Sequence, residues 1–265
     1  MLRLIINADD FGKDHIVNVA IENQIKIGNI TSTTIMANAD GYEEAIRIAK
    51  AYPHISYGVH LTLDEYAPVL SQDIFEVKGI VDKQTGLFVN GKIWNVKFDE
   101  DLIKAIRNEW DAQIKKIINA NVVLSHIDSH HHVHTIPELK DVLSELGNKY
   151  AINKVRGGDY MTIKKFCRGW KHFQNRPRFF DFLYLIARYP RVIKGSHWKK
   201  QVSEFFQMTD DFCSVSTFVR NDMYFKKYGE GLTVELECHP GHSKYINETA
   251  LLDQVKGCKI SYLEL

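Results

Sequence analysis

The chain has 265 residues, of which 45% are hydrophobic and 25% charged, with 34 Lys and Arg set against 33 Asp and Glu. This composition excludes a disordered chain and provides for a substantial core, while the balanced charge gives no electrostatic argument for a nucleic-acid or membrane-surface partner. The length suits one large α/β barrel or two ordinary domains. Cys167, Cys213, Cys238 and Cys258 form neither a CxxC pair nor a disulfide framework, so reduced thiols are expected. "MLRLIINADDF" reaches acidic residues too early for a signal peptide, and no run approaches the roughly 18 apolar residues of a membrane span. A cytoplasmic protein without a membrane span is the expectation.

In chain order, "LRLIINAD" (2–9) predicts a strand buried on both faces, and the spacing of Ile16, Val17, Ala20, Ile21 and Ile25 predicts a helix over 14–27, ending at Gly28. "TSTTIMAN" (31–38) and "ISYGVHLTL" (55–63) read as the second and third strands, with a helix over 41–52 between them. Strands alternating with helices at this spacing imply βαβ units and a parallel sheet. From 64 to 98 the periodicity fails, and a hairpin or ordered loop is expected. A long amphipathic helix follows over 99–120, with Leu102, Ile103, Ile106, Trp110, Ile114, Ile117 and Ile118 on one side. "NVVLSHIDSHHHVH" begins as a strand, 137–150 is a helix with Pro137 in its first turn, 154–158 a short strand, 213–219 a later one, and 231–241 the final strong one. Between Lys164 and Lys200 there are eleven Lys or Arg, one acidic residue (Asp181) and interleaved aromatics. That pattern suits a variable helical insertion, nucleic-acid binding or recognition of an anionic group.

Five of the twelve histidines fall within "SHIDSHHHVHT" (125–135). Imidazoles so dense make poor helix and poor core filler, because each buried ring nitrogen wants a partner. A metal site explains them better than a solvated loop. Asp9 and Asp10 end the first strand, His60 lies towards the end of the third, Asp128 and His130 end the fourth, and Glu237, Cys238 and His239 end the last. In a parallel sheet these ends gather on one face. Taken alone, an Asp-Asp pair is often a helix N-cap and a single His is often structural. Together, one carboxylate and two imidazoles make the ligand set of an open divalent-metal site, and a second adjacent carboxylate is left free to act as a base.

"NADDFG" (7–12), "TSTT" (31–34), "GVHLTL" (58–63), "HIDSHHHVH" (126–134) and "ECHPG" (237–241) resemble, in order, the motifs of the YdjC-type carbohydrate deacetylases, the family containing chitooligosaccharide deacetylase. The resemblance spans residues 2–157 and about 231–245 and implies a distorted (β/α) barrel of the glycoside hydrolase/deacetylase type; the basic-aromatic segment at about 159–200 has no counterpart in those motifs and is read as an insertion in a single domain over 1–265. The resemblance also implies a bound divalent cation and removal of N-acetyl groups from small acetylated amino sugars such as chito-oligosaccharides. Carried over by position, Asp10, His60 and His130 become the metal ligands. By similarity to the polysaccharide deacetylases Asp9 becomes the general base, and His239 is the best candidate acid, with His132 and His134 as rivals. Asp128 is expected to orient one of the clustered imidazoles, and Arg156 and Glu237 to hold hydroxyls or the acid His, or to serve in salt bridges. Strand alternation would put His130 and His132 on one face and turn His131 away into a structural role. Magnesium follows from the family and zinc from the ligand type. A homodimer is the common default. The competing readings are a metal-dependent phosphoesterase or amidohydrolase, suggested by His132 and His134, and a non-catalytic carbohydrate- or nucleic-acid-binding protein on the same fold.

Overall fold

A computed structural model describes residues 1–157, 197–220, 225 and 229–265. The proposed insertion, and all of the basic-aromatic segment except 197–200, lies outside the described residues. Strand β1 (Arg3–Phe11) is followed by α1 (His15–Lys26), β2 (Ser32–Ile35), α2 (Tyr42–Ala51) and β3 (Ser56–Leu61). Each lies within a residue or three of its predicted span, because turn chemistry and periodicity agree there. Asp14 caps α1 by accepting from the Val17 amide at 2.9 Å, which satisfies one of the helix's free N–H groups.

The irregular stretch after β3 holds the short helix α3 (Asp73–Val77) and an antiparallel bridge between Val81 and Phe88, the expected hairpin in reduced form. Helix α4 (Glu100–Asn119) starts at the Asp99 cap and buries Leu102, Ile106, Trp110, Ile114 and Ile117 against the sheet. Ile103 and Ile118, predicted for the same side, are only partly buried at its margin. Then come β4 (Leu124–Ser129), α5 (Lys140–Lys149), β5 (Asp211–Ser214), α6 (Val215–Arg220), β6 (Thr233–Cys238), α7 (Glu248–Leu252) and β7 (Cys258–Lys259).

The strand predicted over 154–158 is reduced to single bridges at Lys154 and Val155, and one further strand prediction changes. The run 213–219 is strand only as far as Ser214, where β5 loses its β6 partners; Ser214 Oγ then accepts from the Thr217 amide and starts α6. The two-residue β7 was not predicted, being too short to show a period.

Among the described residues every pairing between these strands is parallel, in the order β4-β3-β2-β1-β6-β5, with β7 beside the start of β1. Bridges from Ile127 to Val155 and from Lys154 to Gln207 carry the sheet beyond β4 towards the segment that leads into β5. The sheet therefore curls on itself as a distorted barrel. Strand alternation sorts the side chains: Leu4, Ile6 and Ala8 on β1 join the main apolar core, while Ile5 packs on Ile260 and Tyr262 in a separate cluster. Asn7, Asp9, Thr34, His60, His126, Asp128 and Glu235, at alternate positions of five strands, fill the interior above Ile5, and all are buried. Gly58 on β3 is required there, since a Cβ would lie 2.6 Å from the His126 ring and 2.7 Å from Thr34.

Candidate active site

At the C-terminal ends of the strands a cavity of about 690 Å³ is lined by Asp9, Asp10, Lys13, His60, Asp64, Glu65, Tyr66, His130, His131, His132, Glu237, His239, Lys244 and Tyr245, among others. Asp9 and Asp10 both reach it because Asp10 has φ 65° and the β1–β2 register shifts between Ala8 and Phe11. A regular strand would turn the second carboxylate outward; this bulge re-aims it.

Asp10, His60 and His130 converge. Asp10 Oδ1 lies 2.9 Å from His130 Nδ1 and 3.4 Å from His60 Nε2, and one donor atom from each of the three residues falls within a 4.8 Å cluster. Asp10 Oδ1 is nevertheless buried without a hydrogen bond. A carboxylate oxygen and two ring nitrogens that crowd together without hydrogen-bond geometry fit the donor set of a divalent cation, with the carboxylate and imidazoles expected for one. His60 is Cα-paired with Asp128 across β3 and β4, and its Nδ1–H donates to Asp128 Oδ1 at 2.7 Å, which leaves Nε2 to face Asp10. Asp128 thus orients His60, one strand away, and not a member of the 125–135 cluster. Burial opposes charge on His60, but Asp128 and Asp10 push its pKa up to about 10. A positive charge is wanted at this point, whether proton or cation.

Beneath the triad sits Arg156, fully buried. Its Nη1 and Nη2 hold Asp9 Oδ2 and Oδ1 at 2.5 and 2.6 Å, Nη1 reaches Asp128 Oδ2 at 2.9 Å, and Nε donates to Glu235 Oε1 at 2.7 Å. Arg156 is therefore spent on salt bridges, not sugar hydroxyls, and its planar fork ties Asp9 to the carboxylate that orients His60. Burial pushes the Asp9 carboxyl up, and the guanidinium overrides it and holds it below the usual range. Asn7 Nδ2 donates to Asp9 Oδ1 at 2.8 Å, and Thr34 Oγ1 donates to Asp128 Oδ2 at 2.9 Å.

His239 faces Asp9 from the end of β6, with Nε2 4.0 Å from Asp9 Oδ2. Glu248, at the start of α7, accepts from the His239 backbone amide at 2.8 Å and lies 3.2 Å from Nδ1. Burial opposes its proton, but Glu248, Asp9 and Glu237 push the pKa up to about 9. His132 lines the cavity with Nε2 3.7 Å from Glu237 Oε2. His134 does not reach it: the ring is buried, Nδ1 is 2.5 Å from Ser129 Oγ, Nε2 is 3.2 Å from the Arg156 carbonyl, and burial pulls its pKa down to about 3.

The expectation for His131 fails for a backbone reason. Strand geometry stops at Ser129, and His131 and His132 take left-handed φ of 48° and 58°, so alternation no longer sorts the rings. His131 turns to the cavity wall, its Nδ1 2.6 Å from the buried Asp64. Glu65 was also missed; it lies 2.7 Å from His130 Nε2 and accepts from Lys13 Nζ at 2.7 Å. Asp64 and Glu65 directly follow "GVHLTL", so the signal was two acidic residues adjoining a ligand motif. Glu248 had no such signal, because only tertiary folding brings α7 to His239.

A parallel α/β barrel whose strand ends carry a carboxylate-imidazole cation cluster, flanked by a second carboxylate and an imidazole, defines a class of pocket-bearing barrel proteins suited to metal-assisted chemistry. Within that class, the profile of the YdjC-like protein family matches residues 3–259, and the chain belongs to that family. It is 28% identical over 263 residues to a carbohydrate deacetylase of Halalkalibacterium halodurans, an alignment covering 99% of this chain and 91% of that protein. A carbohydrate deacetylase of Brevibacillus brevis is 37% identical over 57% of this chain and 58% of its own length, and a chitooligosaccharide deacetylase of Proteus mirabilis is 32% identical over 56% of each. With these two, the alignment spans less than two thirds of either protein. A solved structure from Enterococcus faecalis V583, named as a candidate cellobiose-phosphate cleavage protein, superposes with TM-score 0.71 at 24% identity over 99% of this chain and 98% of that one. That likeness concerns the fold.

Proposed function

We propose that this protein removes the N-acetyl group of small acetylated amino sugars, with one divalent cation held by Asp10, His60 and His130, Asp9 as general base and His239 as general acid. The observation that carries the reading is Asp9 and His239 facing each other at 4.0 Å beside the convergent Asp10, His60 and His130 cluster. A divalent cation at that cluster supplies the positive charge that polarises the acetyl carbonyl and makes water acidic enough to attack it. Asp9, kept ionised by Arg156, takes the proton of the attacking water. His239, whose Nδ1 edge is held by Glu248, delivers the proton on Nε2 to the sugar nitrogen as the C–N bond breaks, so that the amine and not an amide anion departs. Water is consumed, and the products are acetate and a free amine. The family relatives named carbohydrate deacetylase and chitooligosaccharide deacetylase support this substrate class.

Among the described residues no helix is long and apolar enough to cross a membrane. Magnesium, expected from the family, and zinc, expected from two imidazole ligands, are separated by the test. Metal-stripped protein is reloaded with each ion and acetate release from N,N'-diacetylchitobiose is followed. Release that needs one of the ions and falls by at least about a hundredfold in Asp9→Asn is expected, the usual scale for loss of a general base. No release with either ion, or full activity in Asp9→Asn, overturns the assignment.

A further inference from the structure

We propose that His131, held by Asp64, is a substrate-positioning residue that hydrogen-bonds a sugar hydroxyl through Nε2. The proposal rests on the deacetylase reading above and adds to it a residue that strand alternation would have turned away. Three observations carry it. First, Asp64 is buried to 1% exposure and its Oδ2 accepts from His131 Nδ1 at 2.6 Å. That bond fixes the ring with Nδ1 turned to Asp64 and Nε2 turned away from it. Second, the side chain of His131 is 46% exposed and lines the cavity, while among the described residues its Nε2 has no hydrogen-bond partner. The bound edge faces the protein and the free edge faces the space a substrate would fill. Third, the backbone at His131 and His132 is left-handed at both residues, a conformation unfavourable for non-glycine residues that persists where surrounding structure enforces it. That geometry sets the His131 ring against His130, with ring centroids 3.9 Å apart. His131 therefore stands directly beside the proposed cation ligand, where the part of the sugar next to the acetamido group would lie.

A hydroxyl is the group that an amino sugar presents in several directions, and an imidazole edge fixed by a buried carboxylate favours such a polar group over an apolar surface. Loss of one such bond is worth about tenfold in binding when its partner is left desolvated. Asp64 contributes by orienting the ring through its Oδ2.

The test is steady-state acetate release from N,N'-diacetylchitobiose by the full chain, together with metal content and melting temperature, for the wild type, His131→Phe, His131→Gln and Asp64→Asn. We expect KM to rise about tenfold in His131→Phe with kcat within about threefold, metal content unchanged and melting temperature near that of the wild type. His131→Gln, which keeps a hydrogen-bonding group, should recover part of the affinity, and Asp64→Asn should raise KM less than His131→Phe does. An unchanged KM in His131→Phe overturns the proposal while leaving the deacetylase reading intact. Loss of metal from that variant overturns it too, by making His131 part of the cation's support. No acetate from the wild type under any metal overturns the deacetylase reading, and this proposal with it.

Discussion

His239 is set between one carboxylate that orients it and another across the cavity, and its proton is the residue-scale quantity with the clearest consequence. Its pKa stands at about 9 in the folded chain against 6.5 for the free side chain. A raised folded pKa means that protonated His239 stabilises the fold fully below about 6.5 and that this contribution disappears as pH rises through about 9. The acid form is also the one the proposed reaction needs. Plots of kcat/KM against pH should therefore fall on the alkaline side near 9, and Glu248→Gln should bring that limb down by about one unit, with denaturant titrations losing their alkaline sensitivity in parallel. An alkaline limb that stays in place in Glu248→Gln removes His239 from the acid role. The residues of this pair were unequally legible. His239 announced itself within "ECHPG" at a strand end, whereas Glu248 is one acidic residue in a short helix, chosen by the fold.

At the scale of elements, helix α4 does two jobs with one sequence. Its apolar face was readable from period alone, and the burial of Trp110 and its neighbours follows that reading. The same buried side carries Glu109 and Gln113, spaced i and i+4 so that they meet. Glu109 accepts from the Val69 and Leu70 amides at 2.8 Å each, and Gln113 exchanges bonds with the Thr62 backbone at 2.9 and 3.0 Å while donating to Glu109. These two side chains pin both ends of the segment that brings Asp64, Glu65 and Tyr66 to the cavity. Glu109→Ala leaves two amides without their acceptor and is expected to destabilise the protein by about 1–3 kcal/mol in urea unfolding, with KM rising as the loop loosens. A variant with unchanged unfolding midpoint and KM would remove this anchoring role. The polar pair escaped the sequence reading because an amphipathic search scores apolar residues. The strand at 213–219 was misplaced for a related reason: β-branched and aromatic residues suit a strand, but Ser214 capped a helix once its neighbours in the sheet ended.

On the scale of the whole molecule, the parallel barrel gathers negative charge. Asp9, Asp10, Asp128 and Glu235 are all buried in its interior, with fully buried Arg156 as the cation shared by three of them. Such a cluster is stabilised by any cation that binds the folded chain and not the unfolded one. Chelation should therefore lower the melting temperature by roughly 5 °C or more relative to protein at a hundredfold excess of ion over Kd, as seen by calorimetry. Asp10→Ala should abolish that difference, and a difference that survives in Asp10→Ala would place the ion elsewhere. The sequence by itself determined the alternating strands and helices, the strand ends where carboxylates and imidazoles gather, and the grouping of Asp10, His60 and His130, because period, turn residues and residue type are local properties written along the chain. Only the tertiary structure decided which partner each group received: Asp128 for His60, Arg156 for Asp9, Glu248 for His239 and Asp64 for His131. Those pairings depend on sheet closure, on a bulge at Asp10 and on left-handed backbone at His131, all of which arise from contacts between segments far apart in sequence, where no local pattern reaches.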